Sequence, residues 1–251
     1  MQIIPIHTRV LTPPKDDLLE VIKESISEIN EKSILVVSSK VVAIHEGRCI
    51  SSEKIDKVDL IKQEADKYLP NDVTPDRKYP VTITNHVILG SAGVDESNGN
   101  GYYILLPKDS MKSAEEIRDF IKSEYHVKDV GVIITDSYST PMRRGAINIS
   151  LGYAGFNPLV DYRGEKDIFD RSFQVSVANV VDGLAAASGV SMGEGSTQTP
   201  LSMITSLPKS IEFTEVNTMA KDLDFFVDME SDRFKFLLDK LPWQKGGSDV
   251  K

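Results

Sequence analysis

An α+β fold is the class the sequence predicts, and three observations predict it. Compact β-branched runs, clearest at Val132-Ile133-Ile134-Thr135, read as buried strands. Apolar residues at helical spacing, as in Leu18, Val21, Ile22, Ile26 and Ile29, read as helices with one buried stripe. The two kinds of element follow one another without the strict alternation of a doubly wound sheet.

Taken in order, Ile3 to Val10 is predicted as a strand, stopped by Leu11-Thr12-Pro13-Pro14 because proline cannot continue a sheet interior. Asp16-Asp17 open a helix running to about Asn30. Ser33 to Val42 is a strongly β-branched strand, and Glu46-Gly47-Arg48 turns into a shorter one. Lys57 to Leu69 is a helix closed by Pro70-Asn71, followed by a polar loop from Asp72 to Lys78. Strands at Val81 to Thr84 and Val87 to Leu89 lead to Ser91–Asn98 and two Asn-Gly steps, which favour tight reversals with positive φ. Tyr102 to Leu106 is a strand. Ser113 to Tyr125 is a helix, with Ser113 as N-cap and Glu116 closing a capping box. Beyond the 132–135 strand, Gly152, Gly155 and Gly164 punctuate a loop-rich region holding Asp161, Arg163, Asp167 and Arg171. Phe173 to about Val190 is a helix, broken by Met192-Gly193-Glu194-Gly195-Ser196. Strands near Met203 and at Ile211 to Val216 precede an amphipathic helix from Ser231 to Leu241, and the tail 246–251 is expected to be disordered.

The chain has 251 residues, 40% hydrophobic and 27% charged, enough for one large domain or two modest ones with a real core. A net charge of −9 and pI near 5.0 argue against a nucleic-acid binder, which would carry a basic face. The single cysteine, Cys49, forms no intramolecular disulfide and no thiolate cluster, which fits a reducing cytoplasm. The opening MQIIPIHTRV lacks the regions of a signal peptide, and no apolar run reaches membrane-spanning length.

There is no GxxxxGK[ST], GxGxxG or HExxH, and the four histidines are scattered. Metal binding would therefore rest on carboxylates and hydroxyls, which points to magnesium or manganese and away from zinc. Three acids sit in breaks beside apolar elements: Asp95 with Asn98, Asp136 with Ser137, and Glu194. A strand that delivers Asp136-Ser137 to its end, with Arg143 and Arg144 close behind, suits a metal–phosphate site, because guanidinium groups neutralise phosphate oxygens. Each acid alone is more readily an ordinary turn former than a ligand.

Five segments occur in a recognisable order and spacing: EGR at 46–48, SAGVDESN at 91–98, LLPKDSMKSAEEIR at 105–118, TDSYSTPMR at 135–143 and MGE at 192–194. On these the chain resembles the coenzyme F420-0 γ-glutamyl ligase family, from about Ile3 to Ser206. The resemblance implies a two-lobed α+β fold in an intertwined homodimer. One lobe would hold 1–85 with about 190–245, and 86–189 would be inserted as the other. It implies a nucleotide- and metal-dependent ligase that activates an acceptor carboxylate as an acyl phosphate and joins it to L-glutamate. Small-molecule substrates are its partners, with GTP or ATP as co-substrate and two Mg2+ or Mn2+ ions; no nucleic acid or membrane is implied. By position, Asp95, Asp136, Ser137 and Glu194 match metal ligands. Leu11, Thr12, Pro13, Pro14, Ser39, Lys40, Asn98 and Met192, Gly193, Glu194, Gly195, Ser196, Thr197, Gln198 and Thr199 match nucleotide-binding positions. Arg143, with Asp136, matches the catalytic set, as a phosphate contact.

Departures from the family pattern cluster at substrate-proximal positions. Ile44 stands where the family has lysine, the family's T-F-G-R-P-W-R reads Ser137 to Arg143 with Thr140 and Met142 as replacements, and D-E-L-A reads Asp182-Gly183-Leu184-Ala185. They raise a folate-like acceptor as an alternative to F420-0. A nucleotide-binding protein without catalysis is a second alternative, and a structural or dimerisation module a third.

Overall fold

A computed structural model describes residues 1–73, 78–215 and 224–247. Along the chain run β1 (Gln2–Ile6), α1 (Leu18–Ser25), β2 (Ser33–Ser38), α2 (Ser39–Glu46), β3 (Cys49–Ser51), α3 (Lys57–Glu64), β4 (Lys67–Tyr68), β5 (Val81–Thr84), β6 (Val87–Gly90) and β7 (Tyr102–Ile104). Then follow α4 (Ser110–Tyr125), β8 (Val130–Tyr138), β9 (Ile147–Ala154), β10 (Leu159–Asp161), β11 (Val177–Asn179), α5 (Val180–Met192), β12 (Leu201–Thr205), α6 (Lys235–Leu238) and β13 (Gln244–Lys245). The architecture is mixed α and β, in keeping with α+β.

The main sheet has five strands in the order β1-β12-β2-β8-β9, in which β2 and β8 are parallel and every other pairing is antiparallel. Its central strands are buried on both faces, which is why they read as unbroken apolar runs. Leu35, Val37, Val132 and Ile134 pack with α1, α2 and α4 on one face. Ile34, Val36 and Ile133 pack on the other with Val181, Leu184 and Ala185 of α5. A second sheet, β13-β4-β5-β6, and the pair β3-β7 form a smaller body around Leu60, Ile61 and Tyr103. The expected lobe boundaries at 85/86 and 189/190 run across the main sheet, since β8 and β9 hydrogen-bond within it beside β2.

The structure corrects several element boundaries. The strand expected to Val42 ends at Ser38, and Val41 and Val42 lie in α2, where burial in the core overrides β propensity. The helix expected from Lys57 to Leu69 ends at Glu64. Asp109, not Ser113, caps α4 by accepting from the Lys112 N–H at 3.0 Å, and the Ser113 hydroxyl instead donates to Glu46 Oε1 at 2.6 Å. The region read as loop holds β9, a full strand in which Gly152 admits the backbone of Ser110; a Cβ there would sit 2.3 Å from its carbonyl oxygen. The helix expected from Phe173 begins at Val180, because Val177–Asn179 pairs with Leu159–Asp161 in a hairpin. At 211–216 only Phe213 makes a β-bridge, to Phe156, and Val216 lies outside the described residues. The helix expected from Ser231 to Leu241 shrinks to the single turn of α6. The loop at 72–78 and the tail at 246–251 fall partly outside the described residues, at 74–77 and 248–251.

Two recognised segments turn out to be stitches between bodies. Glu46 at the end of α2 accepts from Ser113 and from the Lys108 N–H, and Arg48 donates to Leu106 O at 3.1 Å and to Glu64 at 2.5 Å. Gly47 closes α2 at φ 72°, a left-handed conformation that favours glycine. Among the described residues no helix is long and apolar enough to cross a membrane.

Candidate functional site

The topology brings several chain segments to one edge of the main sheet. Because β2 and β8 are parallel, with Ser38 opposite Thr135, both strands end at the same place. Ligand crevices form at the carboxyl ends of parallel strands. β12 is antiparallel to both β1 and β2, so the segment entering β12 and the segment leaving β1 arrive there too. The Ser38 N–H donates to Pro200 O at 2.9 Å and the Thr8 N–H to Gln198 O at 2.9 Å, closing that wall.

A cavity of about 300 Å³ opens at this edge. Its lining includes Leu11, Lys40, Asp95, Asn98, Asp136, Ser137 and the whole run from Met192 to Thr199. Thr12, Pro13, Pro14, Ser39 and Arg143 are not part of the lining. Ser39 is buried at the start of α2, where its hydroxyl opposes the rise of the Asp136 pKa. Arg143 lies on the exposed connection between β8 and β9. Ile44, Thr135 and Asn148 join the lining, and of these the sequence had pointed only to Ile44.

Each wall has a local cause. Asn98 at φ 56° and the following Gly99, whose Cβ would fall 2.2 Å from Tyr102 O, turn the chain so that Asp95 faces α2. Asp95 accepts from the Ser97 N–H at 2.7 Å, and Lys40 Nζ lies 2.6 Å from Asp95 Oδ2 and 3.0 Å from Ser97 O. On the 192–199 segment, the Thr197 and Thr199 hydroxyls both donate to Met192 O, at 3.0 and 2.6 Å, folding the exposed loop that carries Glu194 over the cavity. At 8–17 the Asp16 carboxylate accepts from both Arg9 terminal nitrogens at 2.9 Å and from the Thr12 and Asp17 N–H groups, holding Leu11 against the pocket.

The two acids differ in charge environment. Burial pushes Asp136 up to about 6; the Asp95 charge adds to this, while the Ser137 N–H, Lys40 and the Ser39 hydroxyl oppose it. For Asp95 burial also pushes upward, but the hydrogen bond and charge of Lys40 together with Ser97 hold it below the usual carboxylate range. A half-buried carboxylate raised by burial and by a neighbouring anion is a group that gains from a cation. Oxygen donors at Asp95, Asp136 and Ser137 fit a hard divalent ion. Among the described residues no three acids, histidines or cysteines gather closely enough to hold one ion, so Glu194 shares the cavity without completing a single cluster.

The Asp16 clasp supports a direct test. Its hydrogen bonds to Arg9 hold its pKa at about 2, against an ordinary 3.8, with burial opposing and the two N–H groups assisting. A depressed carboxylate stabilises the fold above its unfolded pKa and loses that contribution as pH falls through its folded one. Arg9 is 38% exposed, so solvent screening reduces the effect. Asp16→Asn should cost about 1 kcal/mol at pH 7 in urea denaturation, and the gap from the unaltered protein should narrow toward pH 2.

Comparison with known proteins gives a consistent assignment. The family model described as F420-0:Gamma-glutamyl ligase matches residues 6–206. The coenzyme F420:L-glutamate ligase of Methanopyrus kandleri is 32% identical over 231 residues, covering 84% of this chain and 89% of that protein. The protein of the same name from Methanococcus maripaludis is 34% identical over 203 residues, 78% of each. That from Haloarcula marismortui is 33% identical over 212 residues, 76% of this chain and 81% of the relative. With the match running from the end of β1 through β12 and covering every segment that lines the cavity, the chain belongs to the F420-0:gamma-glutamyl ligase family and is a ligase that forms a carbon–nitrogen bond.

Proposed function

We propose that the protein joins L-glutamate through its amine to the terminal carboxylate of an F420-0-type acceptor, at the expense of GTP. The observation that carries this reading is the convergence of Asp95, Asp136, Ser137, Lys40, Asn98 and the 192–199 loop on one cavity at the ends of β2 and β8. In the proposed reaction an acceptor carboxylate oxygen attacks the γ-phosphorus and displaces the nucleoside diphosphate. The glutamate amine then attacks the resulting acyl carbon, and phosphate leaves with the bonding electron pair. A free carboxylate is a poor electrophile, so the phosphate supplies the leaving group.

Magnesium or manganese fits the donor set of Asp95, Asp136 and Ser137, with Glu194 contributing from its loop; bound there it would neutralise phosphoryl charge. Charge balance supports this part. The lining sets Asp95, Asp136 and Glu194 against Lys40 and Arg9, and both cations are already paired, with Asp95 and with Asp16. A polyphosphate therefore needs added cations to enter. The backbone N–H groups at the start of α2 and the Ser196 hydroxyl and amides of the 192–199 loop are donors for its oxygens. Arg143, on the connection that continues β8 past Ser137, is proposed to meet the phosphates from the rim.

A homodimer belongs to the same proposal. The β10-β11 hairpin projects a connection on which Ile168, Phe169 and Val175 are 91%, 75% and 80% exposed. Apolar surface of that kind suits a second copy of the chain. Ile168→Asp with Phe169→Asp should shift the molecular mass seen by light scattering from dimer to monomer.

The deciding experiment incubates the protein with glutamate, Mg2+ or Mn2+, GTP or ATP, and separately F420-0 and tetrahydrofolate, and weighs the products by mass spectrometry. The expected result is a glutamyl residue added to F420-0 with GDP and phosphate released. Addition to the folate alone would overturn the acceptor, to which the relatives' names lend no support. Ile44, which is 3% exposed in the lining where the resemblance has a lysine, favours one second reading, a nucleotide binder without catalysis. Tight GTP binding with no phosphate release on any acceptor would establish it.

A further inference from the structure

Asn148 of β9 stands out within the cavity. It lies directly across the ladder from Ser137, one step beyond the Asp136–Ile149 pair, and paired residues of an antiparallel ladder present their side chains to the same face. It is half-buried and lines the cavity, yet its carboxamide makes no hydrogen bond to any described residue. Its amide, with two N–H donors, is therefore open to a partner entering the cavity. Gly189 of α5 makes room for it. A Cβ added there would lie 2.0 Å from Asn148 Oδ1 and 2.3 Å from Cγ, and the three nearest atoms all belong to Asn148. The helix thus gives up a side chain at a buried position of its sheet-facing stripe to seat this one residue.

Strand order indicates what Asn148 faces. The segments proposed to hold the nucleotide enter from β1, β2 and the start of β12, whereas β9 is the opposite edge of the sheet, beyond β8 and Asp136. The group that attacks the terminal phosphorus must approach from the side away from the nucleotide. Resting on the proposed function, we infer that Asn148 is a specificity-determining residue whose amide N–H donates to the carboxylate of the acceptor, with Gly189 as the positioning residue that seats it. A neutral donor suits an anion in a cavity walled by Asp95, Asp136 and Glu194, since it adds attraction without filling the place of a metal ion.

Equilibrium binding separates this inference from the ligase reading. With F420-0 as the acceptor probe and GTP as the nucleotide probe, Asn148→Ala should weaken F420-0 binding about tenfold, the size of one hydrogen bond to a charged group, and leave GTP affinity within about twofold. Asn148→Asp should weaken F420-0 binding further, because carboxylate then faces carboxylate. Gly189→Ala should reproduce the Asn148→Ala defect, and Gly189→Ala in the Asn148→Ala background should add almost nothing, because the obstructing atoms are gone. That non-additivity is a signature a merely structural role for Asn148 would not give. Unchanged F420-0 affinity in Asn148→Ala, equal loss of F420-0 and GTP affinity, or no F420-0 binding by the unaltered protein would each overturn the inference. Failure of turnover with the selective binding defect intact would overturn the ligase mechanism and leave Asn148 in place.

Discussion

Asp136→Asn is expected to lower glutamate-dependent phosphate release by about a thousandfold, roughly 4 kcal/mol of transition-state stabilisation, while leaving the protein more stable at pH 8. The two effects share one cause. Asp136 ends β8 in the cavity, and burial with the nearby Asp95 charge pushes its carboxyl up to about 6. A carboxyl raised in the folded state opposes folding at any pH above that value, because the unfolded chain holds the charge at lower cost. Asparagine keeps the shape and removes the charge, so without divalent ions the variant should gain about 1 kcal/mol in urea denaturation at pH 8 and nothing at pH 4. Loss of activity with gain of stability is the pattern of a group kept for function. Asp95→Asn should lose activity to a similar degree, but without the stability gain, since Lys40 already neutralises Asp95 at 2.6 Å. Turnover close to that of the unaltered protein in either variant would remove these carboxylates from the chemistry.

Arg118→Met is expected to destabilise the protein by about 3–4 kcal/mol, with little direct effect on the cavity. Arg118 is 7% exposed on α4. Its Nε donates to Val130 O at 2.9 Å, and its terminal nitrogens donate to Thr214 O at 2.9 Å and Glu215 O at 3.1 Å. One guanidinium thus ties the start of β8 and the 214–215 segment to one helix. Gly155, at φ 86°, lies so close that a Cβ would stand 2.3 Å from the Nε. Methionine fills much of the same volume but leaves three carbonyls without their donor, and buried polar groups left unpaired are the expensive case. Urea denaturation at constant m-value would measure it. A change below about 1 kcal/mol would mean that solvent replaces the lost donors and that the clasp is not what holds these elements together.

Much of the local structure was legible. The stripe at Leu18, Val21 and Ile22 gave α1 with Asp17 at its cap, although the helix expected to Asn30 stops at Ser25, with Ile26 extended; the Asn-Gly steps gave the reversal before β7, and the β-branched run at 132–135 gave the core of β8. The errors have a common cause. Val41 and Val42 favour strands by propensity but are helical because α2 must pack on β2. β9 was hidden by Gly152, a residue chosen for the close approach of Ser110 and not for chain reversal. Ser113 carried the letters of a capping box but turned its hydroxyl to Glu46, 67 residues away in sequence.

The cavity divides along the same line. By itself the sequence determined which residue types were available: hard oxygen donors at Asp95, Asp136, Ser137 and Glu194, and no thiolate or histidine cluster to compete with them. It also carried the ordered segments that mark the family, two of which, at 46–48 and 105–118, serve as stitches rather than as parts of the pocket. Only the tertiary structure decided that β2 runs parallel to β8, so that Lys40, Asp95 and Asp136 share one edge, and that Asn148 stands beside Ser137 with Gly189 behind it. The physical reason is that turn chemistry and hydrophobic period act over a few residues. The charge that raises Asp136 and the space that seats Asn148 come from groups 41 residues away, in each case brought close by strand pairing and helix packing.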